Sequence, residues 1–497
     1  MDKLFLGIDI GSYESKGVIV NQRGKVIAFE SIGHHLSFPK PGYVEHDAEG
    51  VWWNDTKCIS QKLLSKACVD PKDIKAVGIS SIAPCVLPID HDGKPLRPGI
   101  LYGIDNRATS QIKFLERKFG EKQIFEICGQ KLSAQSAGPK ILWVRDNEPD
   151  IWNKTWKILT GSGYLVYKLT GNCVLDRYTA SAYSPLLDIQ SLSWSNEFEE
   201  FIPVRLLPNL FWTTDIAGYI HTKASKETGI PEGTPVVVGS ADAAVESLSA
   251  GLSDVGDMML MYGSSTFLIQ KTEKLVLSLD YTGAVFLQDG HFVLAGGVST
   301  AGSLTRWFRD EFGYKELQIE KEEGINAFTN LSLLAEKAPK GANGVMVLPF
   351  FSGHVNNPNA NGVIYGLNLT HTRSDVYRAI LESIGYLIRD NFEKMILLGG
   401  NPSKVFAVGG GIKNRLWLQI VSDISGITQY IPDCTYGASY GDAFTAAIGI
   451  GEYESISEIG KWVKVKEIIT PDKNSRKFYD DKYLDFKHLF SKLFSNP

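Results

Sequence analysis

Asp242 is the residue whose surroundings point most directly to chemistry. It stands in the segment TPVVVGSADAA (234–244), a pattern typical of a buried strand that leads into a helix. Small neighbours leave this carboxylate unshielded, and open α/β sheets bind ligands outside the carboxyl ends of their strands. Enzymes that phosphorylate alcohols commonly use an aspartate to accept the hydroxyl proton. The alternative is that Asp242 caps the helix that follows it.

A second aspartate, Asp9, lies beside a glycine-rich turn. The run LFLGIDI (4–10) predicts a strand, and Gly11 with Ser12 predicts a sharp turn into a returning strand. Backbone N–H groups of such a turn can cradle phosphate oxygens, Lys16 could reach a phosphate, and Asp9 could hold Mg²⁺, usually through water. A plain β-hairpin with a surface aspartate is the alternative.

Two further glycine-rich turns could also face a nucleotide. Gly263–Thr266 offers three hydroxyls after a glycine, between two apolar runs, and so repeats the pattern of the first turn. Gly409–Gly411 leaves a predicted strand and enters a helix through Asn414, whose amide could bond the edge of a base. An ordinary Ser-Ser turn and a flexible connector are the alternatives. The chain has no GxxxxGK[ST] motif, and GxGxxG is missing after the first strand, which argues against P-loop and Rossmann proteins.

The elements that must position these residues alternate between strand and helix. This alternation predicts an α/β architecture. The pattern of apolar run, Gly-Ser turn and apolar run first appears at residues 4–20 and restarts at 257–270. We therefore expect two related halves, 1–247 and 248–497.

Bulk composition excludes several classes of protein. The chain has 497 residues, too many for one hydrophobic core, with 43% hydrophobic and 22% charged residues and a net charge of −5. A nucleic-acid-binding surface would need a basic stripe, which is missing from the sequence. The apolar stretches are of strand length, so we expect no transmembrane helix.

Seven segments make the sequence resemble the FGGY carbohydrate kinases, and most closely their xylulokinase-like branch. The most specific is GVIYGLNLTHTRSDVYRAILE (362–382), which is similar to the C-terminal signature of the family. The others are GIDIGSYESKGVIV (7–20), GYVEHDAEGVWW (42–53), VVVGSADAA (236–244), GDMMLMYGSSTFLI (256–269), GGVSTAGSLTRWFRD (296–310) and VGGGIKNRLWLQIVSD (408–423). The resemblance spans nearly the whole chain.

The resemblance implies a fold and a set of roles. The implied fold is α/β, with two actin-like (ribonuclease-H-like) domains and a nucleotide cleft between them, the N-terminal domain on the sugar side and the C-terminal domain on the nucleotide side. Asp242 would be the general base in contact with substrate, and Asp9 would carry Mg²⁺ through water. The residues implied to bind ATP are Gly11, Ser12, Lys16, Gly263, Ser264, Ser265, Gly302, Arg306, Gly410, Gly411 and Asn414.

The sugar side departs from the xylulokinase pattern. Xylulokinases usually read Gly-Gln-Met-His after the strand that corresponds to AVGIS, where this chain reads Ser81, Ile82, Ala83 and Pro84. The imidazole and the amide are missing. We therefore expect Ile82, Ala83 and Pro84 to line the substrate site and to redirect specificity away from D-xylulose.

Two other segments bear on specificity. Asp105 stands where the family has a sugar-side polar segment, and Arg107 could favour a sugar acid, although a structural Asp105–Arg107 pair is equally compatible with the sequence. The family's Gly-Glu-Arg-x-Pro loop is replaced by Gly353–Asn356.

The expected activity is transfer of the γ-phosphate of ATP to a hydroxyl of a small sugar or polyol. Ribulose, gluconate or glycerol are alternatives to xylulose. A different actin-like ATPase and a non-catalytic sugar-binding protein are the rival classes, and sugar-dependent ATP turnover would distinguish them from a kinase. We expect a cytoplasmic protein with a small-molecule partner, without nucleic acid or membrane, and leave a homodimer open.

Overall fold

The computed structural model describes residues 2–351, 353, 360–433 and 436–494. They form two compact units. The first unit comprises Met1–Asp254, Thr272–Leu294 and Tyr436–Lys464, and the second comprises Val255–Lys271, Ala295–Thr435 and Val465–Pro497. The predicted boundary at 247 lies close to the end of the first continuous stretch, but two later segments also pack into the first unit.

Strands and helices alternate as predicted. The strands, in chain order, are β1 Leu4–Ile10, β2 Glu14–Asn21, β3 Val26–Gly33, β4 Glu45–His46, β5 Ile74–Ser81, β6 Leu87–Ile89, β7 Gly99–Ile100, β8 Lys157–Leu159, β9 Val174–Asp176, β10 Leu187–Asp188, β11 Ser193–Trp194, β12 Asn209–Phe211, β13 Ile216–Tyr219, β14 Pro235–Val237, β15 Ser240–Ala241, β16 Met258–Tyr262, β17 Thr266–Thr272, β18 Thr282–Val285, β19 Phe292–Val298, β20 Met346–Leu348, β21 Val363–Tyr365, β22 Val405–Val408, β23 Gln429–Pro432 and β24 Val465–Ile469.

The α-helices, in chain order, are α1 Asn54–Ala67, α2 Thr109–Phe119, α3 Glu121–Cys128, α4 Ala137–Asn147, α5 Pro149–Lys154, α6 Gly161–Thr170, α7 Arg177–Ser181, α8 Thr222–Thr228, α9 Asp242–Ala250, α10 Gly302–Phe312, α11 Tyr314–Glu323, α12 Ala327–Ala335, α13 Arg373–Leu397, α14 Arg415–Ser425, α15 Ala438–Gly449 and α16 Arg476–Phe494. Among the described residues, no helix is both long enough and apolar enough to span a membrane.

The main sheet of the first unit has the strand order β13-β14-β5-β1-β2-β3, with β15 also beside β5. β1 pairs antiparallel with β2 and parallel with β5. All residues of β1 are buried, because helices cover both faces of the sheet. The sheet face that carries Gly17 packs against Ile59 and Leu63 of α1. The opposite face, which carries Gly7, packs against α15.

The second unit contains a sheet with the same local topology. β16 pairs antiparallel with β17 through a short turn and parallel with β22, as β1 does with β2 and β5. β22 pairs parallel with β23, and β23 pairs antiparallel with β24. This repetition confirms the expected α/β fold with two related halves, each built around a Gly-Ser hairpin.

Candidate active site

The β1–β2 hairpin brings Asp9 and Lys16 side by side. The two residues are partners in the antiparallel register, so their side chains point to the same face of the sheet. The N–H of Gly11 donates to the carbonyl of Glu14 at 3.1 Å and closes the turn. Asp9 is only 7% exposed, which excludes the alternative of a surface aspartate.

Asp9 lies in a row of polar residues that crosses four strands. Its partner on β5 is Ser80, whose own partner on β15 is Ser240. The Ser80 hydroxyl donates to Asp9 Oδ1 at 2.9 Å. Burial raises the pKa of Asp9 to about 6, even though Ser80 and Lys16 oppose this shift. The carboxylate is therefore held in an environment that does not fully balance its charge.

Asp242 is the first residue of α9, and the N-cap position before it is occupied by Ala241. Its Oδ1 accepts a hydrogen bond from the N–H of Ala243 at 2.8 Å. Burial, and then the negative charge of Asp9, raises the pKa of Asp242 well above the ordinary value. A half-buried carboxylate with a raised pKa suits a general base better than a helix cap.

Two acidic residues near Asp9 were missed from the sequence. Glu246 lies one helical turn after Asp242 on α9, and burial together with Asp9 raises its pKa to about 7. Asp442 is fully buried in α15, and burial together with Asp9 raises its pKa well above the ordinary value. A lone carboxylate in the otherwise uncharged helix ASYGDAFTAAIG was the signal that could have revealed Asp442. We call Asp9, Asp242, Glu246 and Asp442 the acidic cluster.

The acidic cluster fits a magnesium ion bound through water rather than a closed metal cage. In the described part of the chain, no three His, Cys, Asp or Glu side chains are arranged to hold a metal ion directly. Mg²⁺ keeps several waters and is usually bound by one or two carboxylates and by the phosphates of the substrate. One buried carboxylate, Asp9, beside the Gly11–Ser12 turn meets this requirement.

The second unit contains a cavity of about 480 Å³, a size typical of small-molecule sites. Predicted nucleotide-binding residues that line it are Gly263, Ser264, Gly302, Arg306, Gly410, Gly411 and Asn414. Ser265 lies in the same β16–β17 turn and is exposed. The structure thus brings together residues from three separate sequence motifs.

Local structure explains the residue type at two of these positions, Gly302 and Asn414. The N–H of Gly302 donates to the carbonyl of Gly263 at 3.1 Å, and a side chain at Gly302 would collide with that carbonyl. Asn414 caps α14 by accepting from the N–H of Trp417 at 3.0 Å while it lines the cavity. Gly302 therefore has a structural role, and Asn414 combines a cap with a place on the cavity wall.

Gly410 differs from Gly411, its neighbour. A Cβ atom on Gly410 would meet no described atom within 4 Å, whereas one on Gly411 would lie 2.7 Å from Tyr262 Cβ and 2.8 Å from Trp417 Cζ3. Gly410 thus faces open space in the cavity, and Gly411 permits close packing beneath it.

On the sugar side, the structure corrects two expectations. Asp105 is completely buried, where it accepts hydrogen bonds from Arg107 Nη2 at 2.7 Å and from the N–H of Val44 at 2.6 Å. Arg107 also donates to Glu45 Oε1 at 2.8 Å. The alternative of a structural Asp105–Arg107 pair is therefore correct, because neither side chain is left to bind a sugar.

Ile82 is the second correction. It is 1% exposed and belongs to the apolar core of the first unit, and Pro84 is buried as well. Of the predicted run, Ala83 alone is partly exposed. Residues 354–356 of the altered loop lie outside the described residues.

Tyr102 is a further neighbour of the Gly11–Ser12 turn, and sequence reasoning missed it. Its hydroxyl lies 3.0 Å from Ser12 Oγ. The loop that carries it is held by Lys140, whose ammonium group donates to the carbonyls of Leu101, Tyr102 and Ala134. Burial lowers the pKa of Lys140 to about 8. The sequence signal that could have drawn attention to this loop was a lysine, Lys140, in the otherwise apolar helix segment KILWV.

Sequence models of the FGGY family of carbohydrate kinases match most of the chain. The model of the N-terminal domain matches residues 4–249, and that of the C-terminal domain matches residues 258–450. The chain belongs to the FGGY family of carbohydrate kinases. It is therefore an ATP-dependent phosphotransferase with an alcohol group as acceptor, as the sequence predicted.

Curated relatives of this FGGY kinase include enzymes with different substrates. A xylulose kinase of Bacillus subtilis is 30% identical over 92% of this chain and 90% of that protein. A gluconokinase of the same organism is 26% identical over 96% of this chain and 94% of that protein. The crystal structure of xylulose kinase from Rhodospirillum rubrum matches with a TM-score of 0.90 and 27% identity, and covers 99% of both chains.

Proposed function

We propose that Asp242 of this FGGY kinase accepts the proton of the substrate hydroxyl during phosphoryl transfer. The observation that carries the proposal is the half-buried Asp242 carboxylate, whose pKa is raised well above its ordinary value by burial and by Asp9. A base with a raised pKa has a greater drive to take a proton near neutral pH. Positioning and neutralisation of charge account for the rest of the acceleration in such reactions.

The same proposal assigns the nucleotide. The adenosine part of ATP occupies the 480 Å³ cavity, with Gly410 against it and Asn414 and Arg306 on its walls. The β-hairpin turns supply Gly11, Ser12, Lys16, Gly263, Ser264 and Ser265 to the phosphates. Asp9 would hold Mg²⁺ through water. When bound, this ion neutralises charge that develops on the transferred phosphoryl group. Residues 1–247 would thus provide the sugar side and residues 248–497 the nucleotide side.

The substrate is a small sugar, polyol or sugar acid, with weak or absent activity on D-xylulose. The Ile82-Ala83-Pro84 run supports this proposal, since Ile82 and Pro84 are buried and none of the three side chains can bond a hydroxyl at the place where the xylulokinase pattern has polar sugar ligands. Each neutral hydrogen bond lost costs about 0.5–1.5 kcal/mol. Arg107 gives no support for a sugar acid, because its side chain is completely buried and its guanidinium pairs with Asp105 and Glu45.

A comparison of four acceptors tests the proposed substrate. ADP release would be measured for the wild type and Asp242→Asn with D-xylulose, D-ribulose, gluconate and glycerol, each against a control without acceptor. We expect acceptor-dependent turnover by the wild type and a kcat/KM for D-xylulose below that for another acceptor. A tenfold preference for D-xylulose would contradict the specificity proposal. ATP turnover without any acceptor would favour a non-kinase ATPase.

We also propose a cytoplasmic location, since the phosphoryl donor ATP is available there. A homodimer remains a prediction, which light scattering on the purified protein would test.

A further inference from the structure

Helix α15 approaches the central strands of the first unit unusually closely. A side chain at Gly7 of β1 would collide with the carbonyl oxygen of Ser439, and one at Gly78 of β5 would collide with the carbonyl oxygen of Asp442. Two glycines, one on each strand, therefore let the helix backbone lie directly on the sheet. Residues two positions further along a strand point to the same face. Asp9 and Ser80 consequently face α15.

This approach places a second carboxylate on the serine that bonds Asp9. Ser80 Oγ lies 2.9 Å from Asp9 Oδ1 and 2.7 Å from Asp442 Oδ2. A serine hydroxyl has one proton and cannot donate to both carboxylates at once. The two contacts together therefore require a proton on one of the two carboxyl groups. Asp442 is completely buried and its Oδ1 has no partner within the described residues, whereas Asp9 is 7% exposed and lies beside Lys16. The proton is therefore assigned to Asp442, which donates to Ser80 while Ser80 donates to Asp9.

The surroundings of Asp442 agree with a neutral carboxyl group. Its side chain is fully buried, and within the described residues its Oδ1 has no hydrogen-bond partner. Burying an ionised carboxylate in such a place would cost much solvation free energy, whereas burying a protonated carboxyl group costs much less. Burial also raises the pKa of Asp442 well above its ordinary value.

We propose that Ser80 and Asp442 are positioning residues that orient the Asp9 carboxylate toward the magnesium ion. The hydrogen bonds run in one direction, from Asp442 to Ser80 to Asp9 Oδ1, and they fix the rotamer of Asp9. Oδ1 is thereby engaged by Ser80, and Oδ2 would be left to accept from the metal-bound water. This inference rests on the proposed role of Asp9, and it assigns Asp442 a function that a buried helix residue would not otherwise have.

Binding of Mn²⁺ together with ADP, followed by electron paramagnetic resonance, tests the inference without turnover. Ser80→Ala removes the bond to Asp9, and we expect it to weaken Mn²⁺ binding about tenfold, since hydrogen bonds to charged groups are among the stronger ones. Asp442→Ala should have a similar effect. Asp442→Asn keeps the shape and an N–H donor toward Ser80, so it should bind Mn²⁺ nearly as the wild type does.

The chain offers a matched control one strand away. Ser240 is the register partner of Ser80 and donates to a different buried carboxylate, Asp176 Oδ2, at 2.7 Å. Ser240→Ala should lower the melting temperature about as much as Ser80→Ala does but leave Mn²⁺ binding unchanged. Equal Mn²⁺ binding in the two variants would overturn the inference. If Ser80→Ala does not fold, Ser80→Cys keeps the volume with a weaker donor and gives the same comparison.

Asp9→Asn separates failure of this inference from failure of the proposed function. If Asp9→Asn binds Mn²⁺ as tightly as the wild type, the proposed metal role of Asp9 is wrong, and the inference falls with it. If Asp9→Asn weakens binding but Ser80→Ala does not, only the positioning role is wrong. If Asp442→Asn weakens binding as much as Asp442→Ala, the donation from Asp442 is wrong.

Discussion

The first unit contains two groups of buried charges that differ in how each charge is balanced. In the first, which we call the ion-pair network, Asp105 and Glu45 lie against Arg107 and Arg97. Burial lowers the pKa of Arg107, but the hydrogen bonds that Arg107 donates to Asp105 and Glu45, together with the negative charges of these two residues, outweigh this effect and leave the pKa raised. In the second, the acidic cluster, burial raises the pKa of every carboxyl group, and the negative charge of Asp9 adds to this shift in the other three.

This difference distinguishes structural charges from functional ones. A carboxylate whose hydrogen bonds and charge are satisfied inside the protein has little left to offer a ligand. A carboxylate held among like charges is destabilised until a proton or a cation arrives, which is what a base or a metal site needs. By this criterion Asp242 is a candidate catalytic residue and Asp105 is not, although the sequence placed both on the sugar side.

The largest expected effect is on turnover by Asp242→Asn. We expect kcat to fall about 10²–10⁴-fold, the usual contribution of a positioned general base. The ligand-free protein should be at least as stable as the wild type, because one of the repelling charges is removed. Steady-state kinetics and thermal unfolding would measure both effects. Near wild-type turnover would remove Asp242 from the mechanism.

An Asp→Asn substitution in the ion-pair network should have the opposite outcome, a loss of stability without a loss of turnover. Asp105→Asn leaves Arg107 partly unpaired in a buried place, so we expect unfolding free energy to fall by about 3–5 kcal/mol. Kinetic constants should stay unchanged under conditions where the variant is folded. A raised KM for the sugar with no loss of stability would return Asp105 to the substrate site.

In the second unit, Gly410→Val should raise the KM for ATP about tenfold, equivalent to about 1.4 kcal/mol of binding. The added side chain enters open cavity space, so the melting temperature should not change. Gly411→Val is the control, since its Cβ would press on Tyr262 and Trp417 and should lower the melting temperature. If Gly410→Val leaves the KM for ATP unchanged, the cavity does not hold the nucleotide there.

The smallest expected effect is the pH dependence of the magnesium requirement. Asp9 has a pKa of about 6, above the ordinary value of 3.8, so protons compete with Mg²⁺ as the pH falls through 6. The half-saturating Mg²⁺ concentration should be about twofold higher at pH 6 than at pH 8, since half of Asp9 is then protonated. Titrations of Mg²⁺ at the two pH values would measure this ratio, and an unchanged value would contradict the role of Asp9.

The sign for stability follows from the same shift. An aspartate with a raised pKa binds its proton more tightly in the folded protein than in the unfolded chain. Its ionised form therefore costs stability above pH 6, and this cost disappears as the pH falls from 6 toward 4. As the pH falls through this range, protonation of Asp9 should therefore increase the free energy of unfolding of the ligand-free protein. Asp9→Asn should abolish that contribution.

The sequence by itself determined the local elements and most of the chemistry they present. Strand β1, the turn at Gly11, helix α6 with Gly171 in the left-handed conformation after it, and helix α14 after Gly409–Gly411 follow from residues adjacent in the chain. Such elements depend on apolar periodicity and on glycine at turns and caps, which are local properties. Asp242 and the predicted residues that line the cavity of the second unit could be named for the same reason.

Only the tertiary structure decided which charged residues meet. Asp442 reaches Ser80 across 362 positions of sequence, because Gly7 and Gly78 let α15 lie on the sheet. In the sequence, Asp105 and Ile82 look available to contact a substrate. In the structure, Asp105 is paired with Arg107 and Ile82 lies in the apolar core. Burial and pairing depend on packing between distant segments, so the spacing of residues along the chain cannot reveal which carboxylates keep an unbalanced charge.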